Sequence, residues 1–196
     1  MQLHESTIAR LKKLPVLFRI DDVRKFTPHA AVFLSRAQKK GYIKGLTRGH
    51  YVNSFLYGEP SVEQIGCFLR PPAYISCEWA LNYHGITLQA PVVCTVITLH
   101  TAVGYNRRFQ YRDVAYEFSR IKPSLFFGFE YQQGFYMAKP EKAILDTIYF
   151  RESVPVEDEL EMTQVDMKEL TGQANKYPGT VQKKLALLLN MTVESR

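Results

Sequence analysis

The sequence predicts an α+β fold in two parts: a small basic helical module, then a larger body with a small, mostly antiparallel sheet and C-terminal helices. Three observations predict it. Over Met1–Asn53, apolar residues recur three times at helical spacing and then give way to a strand–turn–strand. Over Ser54–Phe150, short β-branched and aromatic runs alternate with turn residues and are bracketed by helical patterns. The charge divides along the same line. Met1–Asn53 holds eleven Lys/Arg against three Asp/Glu, Ser54–Phe150 eight against eight, and Arg151–Arg196 six against eight. The whole surplus of +6 therefore belongs to the first quarter of the chain. Such asymmetry suits a polyanion-binding module joined to a neutral body.

In the first module, Ile8, Leu11 and Leu14 mark a helix with Ser6 as N-cap and Pro15 as its end. Ile20, Val23 and Phe26 mark a short second helix. The third has Thr27 as N-cap and Pro28 at its first position, Ala30, Phe33, Leu34 and Ala37 as its apolar stripe, and Gly41 as its stop. Tyr42–Leu46 and His50–Val52 follow as strands joined through Thr47-Arg48-Gly49. Three helices and a two-stranded ribbon in this order make a winged helix-turn-helix. In that fold the third helix lies in the DNA major groove and the ribbon reaches a flanking groove or the backbone.

In the body, residues 61–69 form a helix that Pro71-Pro72 breaks. A second runs through Tyr83 with Ser76 as N-cap and Gly85 near its end. Residues 91–99 form a strand, 107–113 and 114–121 an antiparallel pair, and 125–131 and 134–138 further strands. Pro140 opens a helix with Ala143, Ile144, Ile148 and Tyr149 on its apolar face and with Lys142 and Asp146 spaced for a surface pair. The third region, 151–196, reads as an acidic linker and two helices. Leu185, Leu188 and Leu189 there need a partner surface, either the body or another chain. The aromatic run Phe126, Phe127, Phe129, Tyr131, Phe135 and Tyr136 has the same two readings.

Several classes are disfavoured. No apolar run reaches the roughly 18 residues of a membrane span, and Met1–Leu14 lacks the apolar stretch of a secretion signal. Cys67, Cys77 and Cys94 are odd in number and widely spaced, as for free thiols in a cytoplasmic protein. Cys77, His84, Cys94 and His100 match no zinc spacing, and Cys77 with His84 makes a poor nucleophile–base pair. Glu141 and Asp146 sit on different sides of a helix. No phosphate-binding glycine loop occurs. Neither an enzyme nor a cofactor is expected.

Two phrases in the body carry a resemblance. Ala73, Tyr74, Ser76, Ala80, Leu81, His84 and Gly85 form one, and Ala138, Pro140, Glu141, Lys142, Ala143 and Asp146 the other. Together with the basic module, over Phe18–Phe150, they resemble the AbiEi-type antitoxins of type IV toxin–antitoxin systems, which act in abortive phage infection. The resemblance implies a transcriptional repressor of its own operon. It also implies a partner toxin of nucleotidyltransferase type, countered by the body. The chain lacks the paired-Asp signature of such a toxin. It departs from longer relatives in its shorter C-terminal part.

The expected DNA contacts follow from which side chains the helix turns outward. On the third helix the outward side chains are His29, Val32, Ser35, Arg36 and Lys39; of these His29, Ser35, Arg36 and Lys39 are expected to touch DNA, together with Lys40, with Arg36 shaped for a guanine edge and Lys39 and Lys40 for phosphates. On the ribbon, Lys44, Arg48 and His50 flank the turn, with Arg48 at its tip. These contacts lead one to expect double-stranded DNA as a partner; the resemblance implies that this DNA is the operator of the chain's own operon and adds a nucleotidyltransferase-like toxin, and analogy with winged-helix repressors adds a second copy of the chain on DNA. The alternative is an interaction protein whose basic face docks an acidic partner or RNA without operator specificity.

Overall fold

The computed structural model describes residues 6–101, 107–151 and 160–194, with side chains described as far as 190. The chain forms two compact units, Met1–Ile65 and Gly66–Arg196.

In the first unit, α1 (Thr7–Leu11) starts where the Ser6 hydroxyl accepts a hydrogen bond from Ala9 N at 3.2 Å. It ends before Pro15, in a tight turn that buries Leu11 and Leu14. Next comes an unforeseen strand, β1 (Leu17–Arg19). Three residues are too few to show an alternation, and this strand exists only through its partner β3. At α2 (Ile20–Arg24) the Asp22 carboxylate accepts Arg19 N at 2.9 Å, satisfying an open amide at the helix start.

The third helix, α3 (Ala30–Lys39), begins later than expected, with His29 rather than Thr27 at the N-cap. Thr27 Oγ1 reaches only as far as His29 N, at 3.3 Å, so it closes a local turn, and Thr27 and Pro28 stay outside the helix. Its end follows the expected glycine stop. Gly41 takes φ +69°, Gly41 N donates to Gln38 O at 2.9 Å and Tyr42 N to Ala37 O at 3.0 Å. Because Tyr42 closes the helix, β2 (Lys44–Thr47) starts two residues after the expected Tyr42. β3 (His50–Val52) returns through Arg48-Gly49, with Gly49 at φ +80°. The sheet order is β1-β3-β2, antiparallel throughout. Leu11, Leu14, Phe18, Val23, Ala30, Phe33, Leu34, Ala37 and Ile43 make the core. Buried Asn53 ties β3 to the end of α1, with Nδ2 donating to Leu11 O at 3.0 Å and backbone N donating to Val16 O at 2.8 Å. A short α4 (Ser54–Tyr57) follows, and the unit boundary falls inside α5 (Val62–Leu69).

The second unit is a six-stranded sheet between helices. Its strands are β4 (Ala73–Ser76), β5 (Val93–Thr98), β6 (Arg108–Tyr111), β7 (Val114–Arg120), β8 (Phe129–Gln132) and β9 (Phe135–Ala138). The order is β6-β7-β5-β4-β9-β8. Pairs β4–β5, β6–β7 and β8–β9 are antiparallel; β5–β7 and β4–β9 are parallel. One face receives α5 at close range: a Cβ on Gly66 would meet Val96 Cγ2 at 2.9 Å and Ile75 Cδ1 at 3.1 Å. The helices α6 (Cys77–Tyr83), α7 (Pro140–Arg151), α8 (Met167–Ala174) and α9 (Gly179–Glu194) complete the unit. α7 packs against α6, β4, α8 and α9. Val181, Leu185 and Leu188 are buried and Leu189 is half-buried, so the leucines of α9 find their surface within this unit. Of the aromatic run, Phe135 is buried, while Tyr131 and Tyr136 pair across β8–β9 and remain exposed.

Two expectations fail here. The one-sided apolar face of α7 gives way to a helix buried from Glu141 to Ile148, so its Lys142–Asp146 pair lies in the interior, not on the surface. Ser76 occupies the N-cap position of α6 but makes no cap bond; its hydroxyl donates to Asp146 instead. Most of the expected acidic linker, residues 152–159, lies outside the described residues. Among the described residues no helix is long and apolar enough to cross a membrane.

Candidate nucleic-acid interface

The eight predicted contact residues distribute over α3 and the β2–β3 hairpin. Burying Ala30, Phe33, Leu34 and Ala37 turns the opposite side of α3 to solvent, and Ser35, Arg36 and Lys39 stand exposed there. His29 is exposed at the N-cap and Lys40 at the C-cap. Helix and hairpin meet closely at Gly45, where a Cβ would lie 3.1 Å from Gln38 Nε2. Arg48 is exposed in the hairpin turn. His50 is half-buried at the start of β3, with ring Nδ1 donating to Arg48 O at 3.1 Å. That bond holds the turn beneath the Arg48 side chain.

Seven of the cations of this unit fall into two sets. Arg24 and Lys25 are matched on their own helix, Arg24 to Asp21 and Lys25 to Asp22, at 2.7 Å each. The hydrogen bond from Lys25, with that from Arg19 N, holds the Asp22 carboxyl below its usual range. Lys44 is also engaged, with Nζ 2.5 Å from Glu59 Oε1. This partner lies fifteen residues along the chain, beyond any local spacing rule. By contrast, the side chains of Arg36, Lys39, Lys40 and Arg48 form no ion pair among the described residues. Over Met1–Ile65 there are eleven Lys/Arg and five Asp/Glu; over Gly66–Arg196 there are fourteen of each. The unmatched set thus sits in the unit that carries the entire net charge, and exposed cations without partners are available to phosphates.

In the second unit, the two sequence phrases converge on one polar core. Asp146 Oδ2 accepts from Ser76 Oγ at 2.7 Å and from Tyr74 OH at 3.0 Å. Asp146 Oδ1 accepts from Lys142 Nζ and from Tyr177 OH, each at 2.7 Å. The Lys142 ammonium also donates to Leu125 O at 2.9 Å and to Tyr177 OH at 2.5 Å, with the Phe127 ring 4.9 Å away. Burial pulls the Lys142 ammonium below the usual lysine range, and the Asp146 charge opposes that pull. Burial, reinforced by Asp146, pushes the Tyr74 and Tyr177 hydroxyls far up. Lys142 and Asp146 are 0% exposed, so the cluster is a closed, satisfied network with no access for a substrate. His84 Nε2 donates to Ala138 O at 2.8 Å, and Glu141 Oε1 accepts Asp166 N at 2.8 Å. The phrases therefore describe how β4, α6, β9 and α7 lock together.

Arg151 organises a second cluster. Its Nε donates to Glu78 Oε1 at 2.8 Å, its Nη2 to Glu78 Oε2 at 3.1 Å, and its Nη1 to Glu117 Oε1 at 3.0 Å. Arg107 Nη2 adds a bond to Glu117 Oε1 at 2.6 Å. Burial raises the Glu117 carboxyl, but the Arg151 and Arg107 bonds outweigh it and leave the group below its usual range.

Cys77 is fully buried at φ +55°, and burial pushes its thiol well up, the reverse of an activated thiolate. Among the described residues no three His, Cys, Asp or Glu side chains gather as a metal site. Sequence reasoning left Val32 out of the contact set, although it stands on the same outward face of α3. An exposed valine carries no charge, so nothing electrostatic in the sequence marks it as a DNA contact. No protein-family model matches the chain, and no curated protein matches it.

Proposed function

We propose that the chain is a DNA-binding transcriptional regulator, a repressor of its own operon, with Met1–Ile65 acting as a winged helix-turn-helix. In this reading α3 enters the major groove and the β2–β3 hairpin is the wing. The observation that carries the reading is the unmatched set Arg36, Lys39, Lys40 and Arg48, exposed on α3 and the hairpin turn of the only unit with net charge. The wing adds phosphate contacts through Arg48, and Arg36 reads a base edge. The protein works in the cytoplasm and binds operator DNA as a homodimer.

We further propose, from the resemblance of the two body phrases, that the second unit serves as an AbiEi-like antitoxin against a nucleotidyltransferase-like toxin. The polar core of Tyr74, Ser76, Lys142 and Asp146 supports this as the framework of the unit, and the toxin-contacting surface lies elsewhere on it.

The test is an electrophoretic gel shift with the region upstream of the chain's own operon, repeated with Arg36→Ala. The variant should bind that region about 10-fold or more weaker, the loss of one bidentate base contact, and wild-type binding should weaken steeply with salt. Equal, salt-insensitive binding by both proteins overturns the regulator reading. Equal affinity for any duplex or RNA returns the alternative of a non-specific basic docking face.

A further inference from the structure

On the reading that α3 enters the major groove, we propose that Val32 is a specificity-determining residue that recognises the C5-methyl group of a thymine. Three observations lead there. First, at about 100° per residue, Val32, Ser35 and Lys39 lie within about 30° of the direction opposite the buried stripe of Ala30, Phe33, Leu34 and Ala37. Arg36 sits on the flank of that face. The outermost line of the helix is therefore an apolar side chain, a hydroxyl and an ammonium in succession. Second, Val32 is 48% exposed, the one large exposed hydrophobic on α3 among the described residues.

Third, stability gives no reason for valine at this position. A β-branched side chain is a weak helix former because the preceding turn restricts its rotamers. That cost is ordinarily recovered by packing, and an exposed valine recovers little. Local rules broken on an exposed face point to a function of that face. The same stiffness is an asset for recognition. The two methyl groups are held in one rotamer, so little freedom is lost when they meet an apolar partner. In the major groove the apolar feature of the base edges is the thymine methyl. Ser35 beside it bonds either base of a neighbouring pair, and Lys39 holds a phosphate, so the three side chains divide the work of reading and anchoring.

The test uses the full chain and a random-sequence duplex library. The enriched duplex is resynthesised with each thymine replaced in turn by deoxyuridine, which removes only the C5-methyl. Wild type should lose about fourfold in affinity at one or two positions, the equivalent of one buried methyl group. Val32→Ser should bind the thymine and deoxyuridine duplexes alike. Val32→Ala should also lose the discrimination, and since alanine is the stronger helix former, unfolding cannot account for that loss. An enriched duplex whose thymine methyls all prove indifferent, or a Val32→Ser protein that keeps the discrimination, overturns this proposal alone. A library that yields no enriched duplex overturns the regulator reading together with it.

Discussion

Lysine and arginine do opposite jobs in the two units. In Met1–Ile65, Arg36, Lys39, Lys40 and Arg48 are exposed and unmatched; in Gly66–Arg196, Lys142 is sealed inside and Arg151 is gripped by two carboxylates. An exposed cation keeps its hydration and costs the fold little, so it is free to exchange water and counterions for a phosphate. A buried cation has lost its hydration and must find every partner within the fold, as Lys142 does with Asp146, Leu125 and Tyr177. The difference teaches that a charged group in this chain marks architecture where it is buried, and stays available to a ligand where it is left open.

The largest effect should come from breaking the buried pair. Asp146→Ala leaves the Lys142 ammonium without its counter-charge and strips acceptors from Tyr74, Ser76 and Tyr177. It should destabilise the second unit by about 3–5 kcal/mol in chemical denaturation. The double change Lys142→Met with Asp146→Leu should cost much less, because no charge is then stranded. A double variant as unstable as the single one would mean that the network does more than satisfy itself.

On the proposed DNA-binding reading, the open set should respond in binding rather than in stability. Arg48→Ala should weaken binding to every duplex alike and reduce the slope of log affinity against log salt by about one. Lys44→Ala should change that slope less, because Glu59 already holds the Lys44 ammonium. Equal slopes for both variants in a salt titration would show that the Glu59 pair opens on binding and that Lys44 belongs with the open set. The smallest effect is acidic. Glu117 has a depressed carboxyl, so its stabilising contribution is complete above its ordinary value of 4.5 and is lost as pH falls below that value. Glu117→Gln should flatten the acid limb of a stability–pH curve. An unchanged limb would place the acid sensitivity in other carboxylates.

Much of the first unit was legible because its signals are local. The Ser6 cap, the Gly41 stop and the apolar stripe of α3 each depend on residues a few positions apart, and all recur in the structure. β1 was illegible because a three-residue strand acquires meaning only against His50–Val52, more than thirty residues on. Lys44 looked like a free cation for the same reason. In the body, the helices and five of the six strands were readable; β4 was not foreseen, because Ala73–Ser76 is a strand only through its pairing with β5 and β9, and the Lys142–Asp146 spacing suggested a surface pair. Spacing reports which residues share a side of a helix and says nothing of what covers that side.

By itself, then, the sequence determined the charge division, the order of elements apart from β1, α4 and β4, and the outward face of α3, since each follows from composition or from contacts within one or two turns. Only the tertiary structure decided which charges are spent. Tyr74 and Ser76 meet Asp146 across some seventy residues, and Glu59 claims Lys44 across fifteen. Those pairings depend on how sheets and helices stack, and burial, which strips water from whatever lies beneath, then turns the same residue types from ligand-binding groups into parts of the frame.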